Sequence, residues 1–492
     1  MIEKYKYLHI CGIYCLHGEW YNLSNINFTE SENHDMKKIG MYKTFPSKEI
    51  EKSFVGVGFE TLDRDMFKPE KCYAPFAASG VKHARCQTGW AKCEKEKGVY
   101  DFAWLDDIVD RLLDGGVAPW FNVGYGNPIY MPDAPNRTAV GCVPLLYGED
   151  VVEAWKNYVR ALARHFKGRV THFEIWNEPD ISHFWYPGKA SASQYAKLIS
   201  ITKQVIESEI PDAKIGCCVG SFNFPYIEVL LKSYAPEKLD FFSYHIYTLA
   251  PEQNLREKIE HLRRILDRHG FTDTEIWNGE GGCPSWFPEN HWMHPRAPGS
   301  ERQQAACQLR RYFIEAHENV ARSSFYQAAD MWERPYEKAV EVLKKPAAQG
   351  VLNGLTYTPK MGYYTFGRLA SFFAGDVEPL CEYIICGYKN DFENCHAAEH
   401  MSYRINGKLF YAYWVPSKIE GEMTPCEGFW IDIENRGEIT EPVVIDMLTG
   451  EIFEVEPKTV NDSIISYKNL PYCDYPYVLC DKGAVKEHFI AE

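Results

Sequence analysis

The chain is 492 residues long, 45% hydrophobic and 25% charged, with a formal charge of -15. That length exceeds what one hydrophobic core organises, so it predicts a large domain with at least one smaller companion. The acidic balance excludes nucleic acid or an anionic membrane surface as the main partner, because both demand concentrated Lys and Arg.

In chain order, the opening "MIEKYKYLHICGIYCLHGEW" has a short apolar stretch interrupted by His9, Gly12 and His17. It lacks a small-residue cleavage site, so no export signal is read and the expected compartment is the cytoplasm. No run reaches the roughly 18 apolar residues of a membrane span. In a reducing compartment the 16 cysteines should be mostly buried thiols. Cys217 and Cys218 in "KIGCCVG" fit that role, and no pair of CxxC motifs suggests structural zinc. Residues 1–50 read as an irregular or strand-like N-terminal segment that packs on the C-terminal domain.

From 51 to 375, short apolar runs alternate with amphipathic stretches, the pattern of strand-helix units around a parallel sheet. Eight candidate strands follow one another: "FVGVGF" (54–59), "GVKHARC" (80–86), "VAPWFNVG" (117–124), "THFEIWN" (171–177), "KIGCCVG" (214–220), "LDFFSYH" (239–245), "EIWNGE" (275–280) and "SSFYQAADMW" (323–332). Helix candidates lie between them, and in "EDVVEAWKNYVRALARHF" the residues Val151, Trp155, Tyr158, Val159, Leu162 and Phe166 fall on one face. Gly115 and Gly270 sit where left-handed C-caps are expected, and "KMGYYTFGRLASFF" supplies a closing helix. Eight units predict an α/β fold, a (β/α)8 TIM barrel. The competing open doubly wound sheet lacks its glycine-rich phosphate loop. From 376 to 492 the period becomes strand-like, in "KLFYAYWVP", "GFWIDIEN" and "YPYVLCD", which predicts an accessory antiparallel β-sandwich.

The tetrapeptide Glu-Ile-Trp-Asn occurs twice, in "FEIWNEPD" at the end of strand four and in "TEIWNGEGG" on strand seven. Glu178 and Glu280 are 102 residues apart (280 minus 178), or three strand-helix units. Carboxylates raised from these two strands face each other across the barrel mouth, the layout that glycoside hydrolysis requires. One must be protonated to release the leaving oxygen and the other ionised to attack the anomeric carbon. Loops after the strands mix aromatic with polar residues, and Trp185, Trp286 and Trp292 are candidate stacking platforms for a sugar. His172, His183, His291 and His294 have no accompanying carboxylates at ligand spacing, so no metal is expected.

"FEIWNEPD" is similar to the Asn-Glu-Pro motif of the clan A glycoside hydrolases, in which the glutamate is the general acid/base; that maps onto Asn177 and Glu178. The segment "GVYDFAWLDDIVDRLLDGGVAPWFNVG" (98–124) and the fused sandwich resemble glycoside hydrolase family 39, which includes β-xylosidases and α-L-iduronidases. The resemblance implies a glutamate nucleophile on strand seven, for which Glu275 and Glu280 both qualify. Glu275 follows the polar turn "FTDT", whereas Glu280 precedes the glycines that open the next loop, so position favours Glu280. The resemblance further implies that Arg85 holds the nucleophile ionised and that His245 or Tyr247 hydrogen-bonds it. Position at the strand ends makes Asn177 a candidate to bind the hydroxyl beside the anomeric carbon and Trp332 a candidate platform under the sugar. The expectation is thus a retaining, exo-acting glycosidase without a cofactor. Its partner would be a carbohydrate, β-xylosides first and α-L-arabinosides next. An inactive sugar-binding barrel is the rival reading, and the sequence leaves a homo-oligomer open.

Overall fold

The computed structural model describes residues 13–16, 19–22, 36–234, 237–286, 299–332, 347–382, 384–388, 397–416 and 423–491. The segment Met1–Lys37 forms a unit of its own. In it, strands β1 (Ile13–Leu16) and β2 (Glu19–Asn22) pair antiparallel.

The rest of the chain contains a closed barrel of eight parallel strands. They are β4 (Val55–Gly58), β5 (His83–Gln87), β6 (Ala118–Val123), β7 (His172–Ile175), β8 (Lys214–Val219), β9 (Phe241–Tyr247), β10 (Glu275–Gly282) and β11 (Arg322–Phe325). Each falls within or across one of the runs read as a strand, and closure is made where Ser323 of β11 pairs with Val55 of β4. These runs are apolar on both faces because both are covered, by the barrel interior and by the helices.

The helices α1 (Tyr73–Ala78), α2 (Ala103–Asp114), α3 (Glu149–Phe166), α4 (Ala192–Glu209), α5 (Phe224–Tyr234), α6 (Leu255–Arg268), α7 (Glu301–His317) and α8 (Met361–Phe372) follow the barrel strands in turn. The apolar stripe of α3, from Val151 to Phe166, is buried as its spacing predicts. Ser300 caps α7 by accepting the Gln303 N–H at 2.9 Å. Gly270 ends α6 in the left-handed region, with φ +85. After α2 the left-handed residue is Gly116 rather than Gly115, because the helix runs one residue further before turning.

Helix α7 follows the β10 strand and is buried all round from Gln304 to Ala316. Its inner face carries Glu315, whose carboxylate accepts from Tyr244 of β9 at 2.9 Å, Asn278 of β10 at 2.6 Å and Ser323 of β11 at 2.5 Å. One side chain thereby ties three neighbouring strands together. Its outer face meets the C-terminal sheets: Tyr403 donates to the Phe313 carbonyl at 2.6 Å, and Arg302 pairs with Asp474 at 2.6 Å.

Those sheets are antiparallel. One has eight strands, in the order β12 (Val377–Leu380), β14 (Glu399–Ile405), β15 (Lys408–Trp414), β21 (Tyr477–Asp481), β17 (Pro442–Asp446), β18 (Glu451–Glu454), β3 (Lys38–Tyr42) and β22 (Phe489–Ala491), and the other has four, β13 (Ile385–Tyr388), β16 (Cys426–Glu434), β20 (Ile464–Tyr472) and β19 (Thr459–Val460); Tyr413 of β15 stacks on Phe429 of β16 at 4.4 Å. Strand β3 (Lys38–Tyr42) comes from the first 50 residues and pairs with β18 (Glu451–Glu454) and β22 (Phe489–Ala491). Cys217 and Cys218 are buried free thiols. No helix among the described residues is long and apolar enough to cross a membrane.

Candidate active site

The first Glu-Ile-Trp-Asn copy ends in a sharp turn. Strand β7 stops at Ile175, and Trp176 and Glu178 then take φ values of 65 and 46, left-handed conformations costly for residues with a Cβ. Neighbouring strands impose the turn. Trp176 N–H donates to the Val123 carbonyl at 3.0 Å, while its own carbonyl accepts from Asn122 Nδ2 at 2.5 Å and Cys218 Sγ at 3.3 Å. The Trp176 ring is fully buried against Tyr125, Trp155 and Trp185. The turn delivers Asn177 and Glu178 to the C-terminal mouth of the barrel, where Glu178 retains 9% exposure.

The second copy lies at another height. Glu275 begins β10 and is exposed at the opposite end of the barrel, where it accepts from Trp277 Nε1 at 2.8 Å. The pairing with β9 slips by one residue between Asn278 and Glu280, so Gly279 forms a bulge. A Cβ there would stand 2.2 Å from Ser243 Oγ and 3.0 Å from Glu174 Oε2, which is why this position is glycine. The bulge turns Glu280 toward the mouth, also at 9% exposure.

Arg85, fully buried at the middle of β5, which runs on to Gln87, joins these pieces. Its Nε and Nη2 donate to Glu174 Oε1 at 3.1 and 2.6 Å, Nη2 also to Asn177 Oδ1 at 2.9 Å, and Nη1 to Glu280 Oε2 at 3.0 Å. Asn122 Nδ2 adds a bond to Glu174 Oε1 at 2.8 Å. The Tyr247 hydroxyl donates to Glu280 Oε1. His245 Nδ1 lies 2.9 Å from Glu178 Oε1 and 3.8 Å from Glu280 Oε2.

The surroundings push the two glutamates apart. Burial raises the Glu178 carboxyl above its ordinary value, opposed by His245 and reinforced by Glu280. Burial acts on Glu280 in the same sense, but His245, Arg85 and two hydrogen bonds outweigh it and hold that carboxyl below its ordinary value. The first is thereby biased toward its protonated form and the second toward its ionised form, with an oxygen of each and a nitrogen of His245 all within 4.8 Å of one another. Such a pair suits proton donation to a leaving oxygen beside nucleophilic attack.

Of the residues singled out in the sequence, Arg85, Asn177, Glu178, His245, Tyr247 and Glu280 are brought together. The tryptophans are not. Trp185 has no exposed surface; it packs on Trp176 and Tyr195 and donates to Gln194 Oε1 at 3.1 Å, so neither ring face is open to a sugar. Trp286 is half-buried in the loop after β10, and Trp292 lies outside the described residues. Trp332 is half-buried and donates to the Gly354 carbonyl at 2.6 Å. Strand β11 ends at Phe325, so the aromatic beside the site is Tyr326, which packs edge-on to Tyr247 at 6.1 Å. Glu60, just past β4, also belongs to the cluster: its Oε2 is 2.7 Å from Arg85 Nη1. The sequence signal for it was available, a carboxylate at a strand end.

Two groupings among the described residues place donor atoms close enough for a metal ion, Glu178 with His245 and Glu280, and Glu174 with Cys218 and His245. Arg85 already supplies positive charge to Glu174 and Glu280, and it would repel a second cation.

Residues 80–332, just over half of the chain, match the family Glycosyl hydrolases family 39. The chain is similar to a Beta-xylosidase of Geobacillus stearothermophilus, with 23% identity over 272 residues, 48% of this chain and 50% of that protein. It is 24% identical to a Beta-xylosidase of Caldicellulosiruptor saccharolyticus over 182 residues, 34% of this chain and 36% of that one. The chain thus spans half or less of the length of these relatives. A solved family 39 glycoside hydrolase from the gut symbiont Bacteroides cellulosilyticus WH2 shares the fold, with a TM-score of 0.64 over 89% of this chain and 82% of that one at 17% identity.

Proposed function

The chain belongs to Glycosyl hydrolases family 39, and on that premise we propose that it is a retaining exo-glycosidase that removes terminal β-xylosyl groups from short oligosaccharides or glycosides. The observation that carries the reading is the opposed tuning of Glu178 and Glu280, whose nearest oxygens lie within 4.8 Å. Inverting enzymes need about 6.5–9.5 Å between carboxyls to admit a water molecule.

In the first step the Glu280 carboxylate attacks the anomeric carbon while Glu178 gives its proton to the departing oxygen. A glycosyl ester on Glu280 and a free aglycone result. In the second step Glu178, now ionised, takes a proton from water as that water attacks the anomeric carbon and Glu280 leaves. His245, bonded to Glu178, keeps the carboxyl aimed through both steps. Arg85 holds the oxygen of the Asn177 amide, which leaves the NH2 end to donate to the hydroxyl beside the anomeric carbon.

Two relatives described as Beta-xylosidase support the choice of sugar, and the test is a panel of aryl glycosides. Glu178→Ala should lose hydrolysis and regain turnover with azide, giving a β-xylosyl azide; Glu280→Ala with azide should give the α anomer. An active Glu280→Ala beside an inactive Glu275→Ala would overturn the assignment of the nucleophile.

A further inference from the structure

Glu60 is fully buried and lies outside the residues matched to the family. Its Oε2 and the Oε2 of Glu280 share one nitrogen, Arg85 Nη1, at 2.7 and 3.0 Å, which sets the two carboxyl groups side by side. Two carboxyl groups so placed can hydrogen-bond only when one carries the proton, and the donors around them decide which. Glu280 receives the Arg85 Nη1–H on Oε2 and the Tyr247 O–H on Oε1. Neither Glu60 oxygen receives an aligned N–H or O–H among the described residues, although Arg85 Nη1 stands 2.7 Å from Oε2. A buried carboxyl with no aligned donor of its own is favoured in its neutral form. Charge points the same way, since one guanidinium faces the three carboxyls of Glu60, Glu174 and Glu280.

We propose that Glu60 is a positioning residue, which carries a proton and donates it in a hydrogen bond to the Glu280 carboxylate, keeping the nucleophile ionised and oriented. The role in catalysis rests on the reading of Glu280 as nucleophile; the proton on Glu60 does not. Burial pushes the Glu60 carboxyl well above its ordinary range, against the pull of Arg85 and with Glu280 adding to the rise. Arg64, Cys86 and Tyr247 are the other titratable groups facing it.

The proton is tested without any activity, by thermal unfolding of wild type and Glu60→Gln from pH 5 to pH 8. A carboxyl whose folded pKa exceeds its unfolded value gives stability that is whole below the unfolded pKa and lost as pH rises toward the folded one. Glutamine lacks that dependence, so Tm of Glu60→Gln minus Tm of wild type should grow by about 1 °C per pH unit. A flat or falling difference overturns the proposal. The hydrogen bond is tested by the pH profile of kcat/KM for an aryl β-xyloside. Glu60→Leu should lower kcat/KM roughly 10- to 100-fold and move the acid limb up by about one unit. Glu60→Gln, which keeps a neutral donor, should recover most of both. An acid limb that stays in place in Glu60→Leu, or moves down in Glu60→Gln, refutes the role. A 2-deoxy-2-fluoro-β-xyloside that labels wild type at Glu280 establishes the nucleophile separately; labelling elsewhere would fail that assignment and leave the unfolding experiment to decide the proton.

Discussion

Replacing Gly279 by alanine distinguishes a bulge that positions Glu280 from one that is incidental. Alanine in a strand would ordinarily stabilise a protein by about 0.5–1 kcal/mol relative to glycine. Here the added methyl would sit 2.2 Å from Ser243 Oγ, 3.0 Å from Glu174 Oε2 and 3.3 Å from His245 Nε2. Ordinary carbon-oxygen contact requires the bulge or its neighbours to yield by about 1 Å. Overpacking of that kind costs about 1–3 kcal/mol, so the expected sign is destabilisation, read as a lower urea midpoint. The same displacement carries Glu280 off the line of attack, and a shift of about 1 Å is worth roughly 100-fold in rate. We expect kcat/KM for an aryl β-xyloside to fall by that order with little change in KM. Ser243→Ala removes the nearest obstructing atom, so the double variant should regain at least about tenfold of the loss. A Gly279→Ala enzyme more stable than wild type, with unaltered kcat/KM, would refute the argument.

Tyr247→Phe removes the hydroxyl donor to Glu280, one of the contacts that lower its pKa. The Glu280 pKa should therefore rise, moving the acid limb of kcat/KM to higher pH by about one unit with a roughly tenfold loss of rate; an unmoved limb in the pH profile contradicts this. Trp185→Ala should destabilise the fold by about 3–5 kcal/mol in urea titration, because the ring is wholly enclosed. If Trp185→Ala instead raises KM at unchanged stability, the ring is a sugar platform after all.

The barrel was legible because both-face burial makes its strands continuous apolar runs, and because helices such as α3 carry a single stripe. The meeting of Glu178 and Glu280, the pair proposed for catalysis, was legible because strand ends are where this architecture exposes carboxylates. What escaped depends on contacts between loops. Trp185 reads as a platform in the string "ISHFWYPG", yet the loop folds back so that its ring fills space beside Trp176. Trp332 looked like the end of strand eight, but the strand stops at Phe325 and Tyr326 takes the place beside Tyr247. Glu60 escapes because the apolar run that marks the first strand ends at Phe59, one residue before it. The repeated Glu-Ile-Trp-Asn is an echo of letters: Asn177 meets Arg85 at the mouth, whereas Asn278 meets Glu315 behind the sheet.

Helix α7 sets a limit on how this protein can be divided. A barrel helix normally keeps one wet face, but α7 is enclosed on every side because the C-terminal sheets close over the half that would otherwise meet water. A barrel cut free near residue 375 would turn that half outward, and with it the ring of Phe313. Barrel and sheets therefore form one cooperative unit, in which disruption of the remote sheets reaches, through Glu315 and Asn278, the strand that carries Glu280.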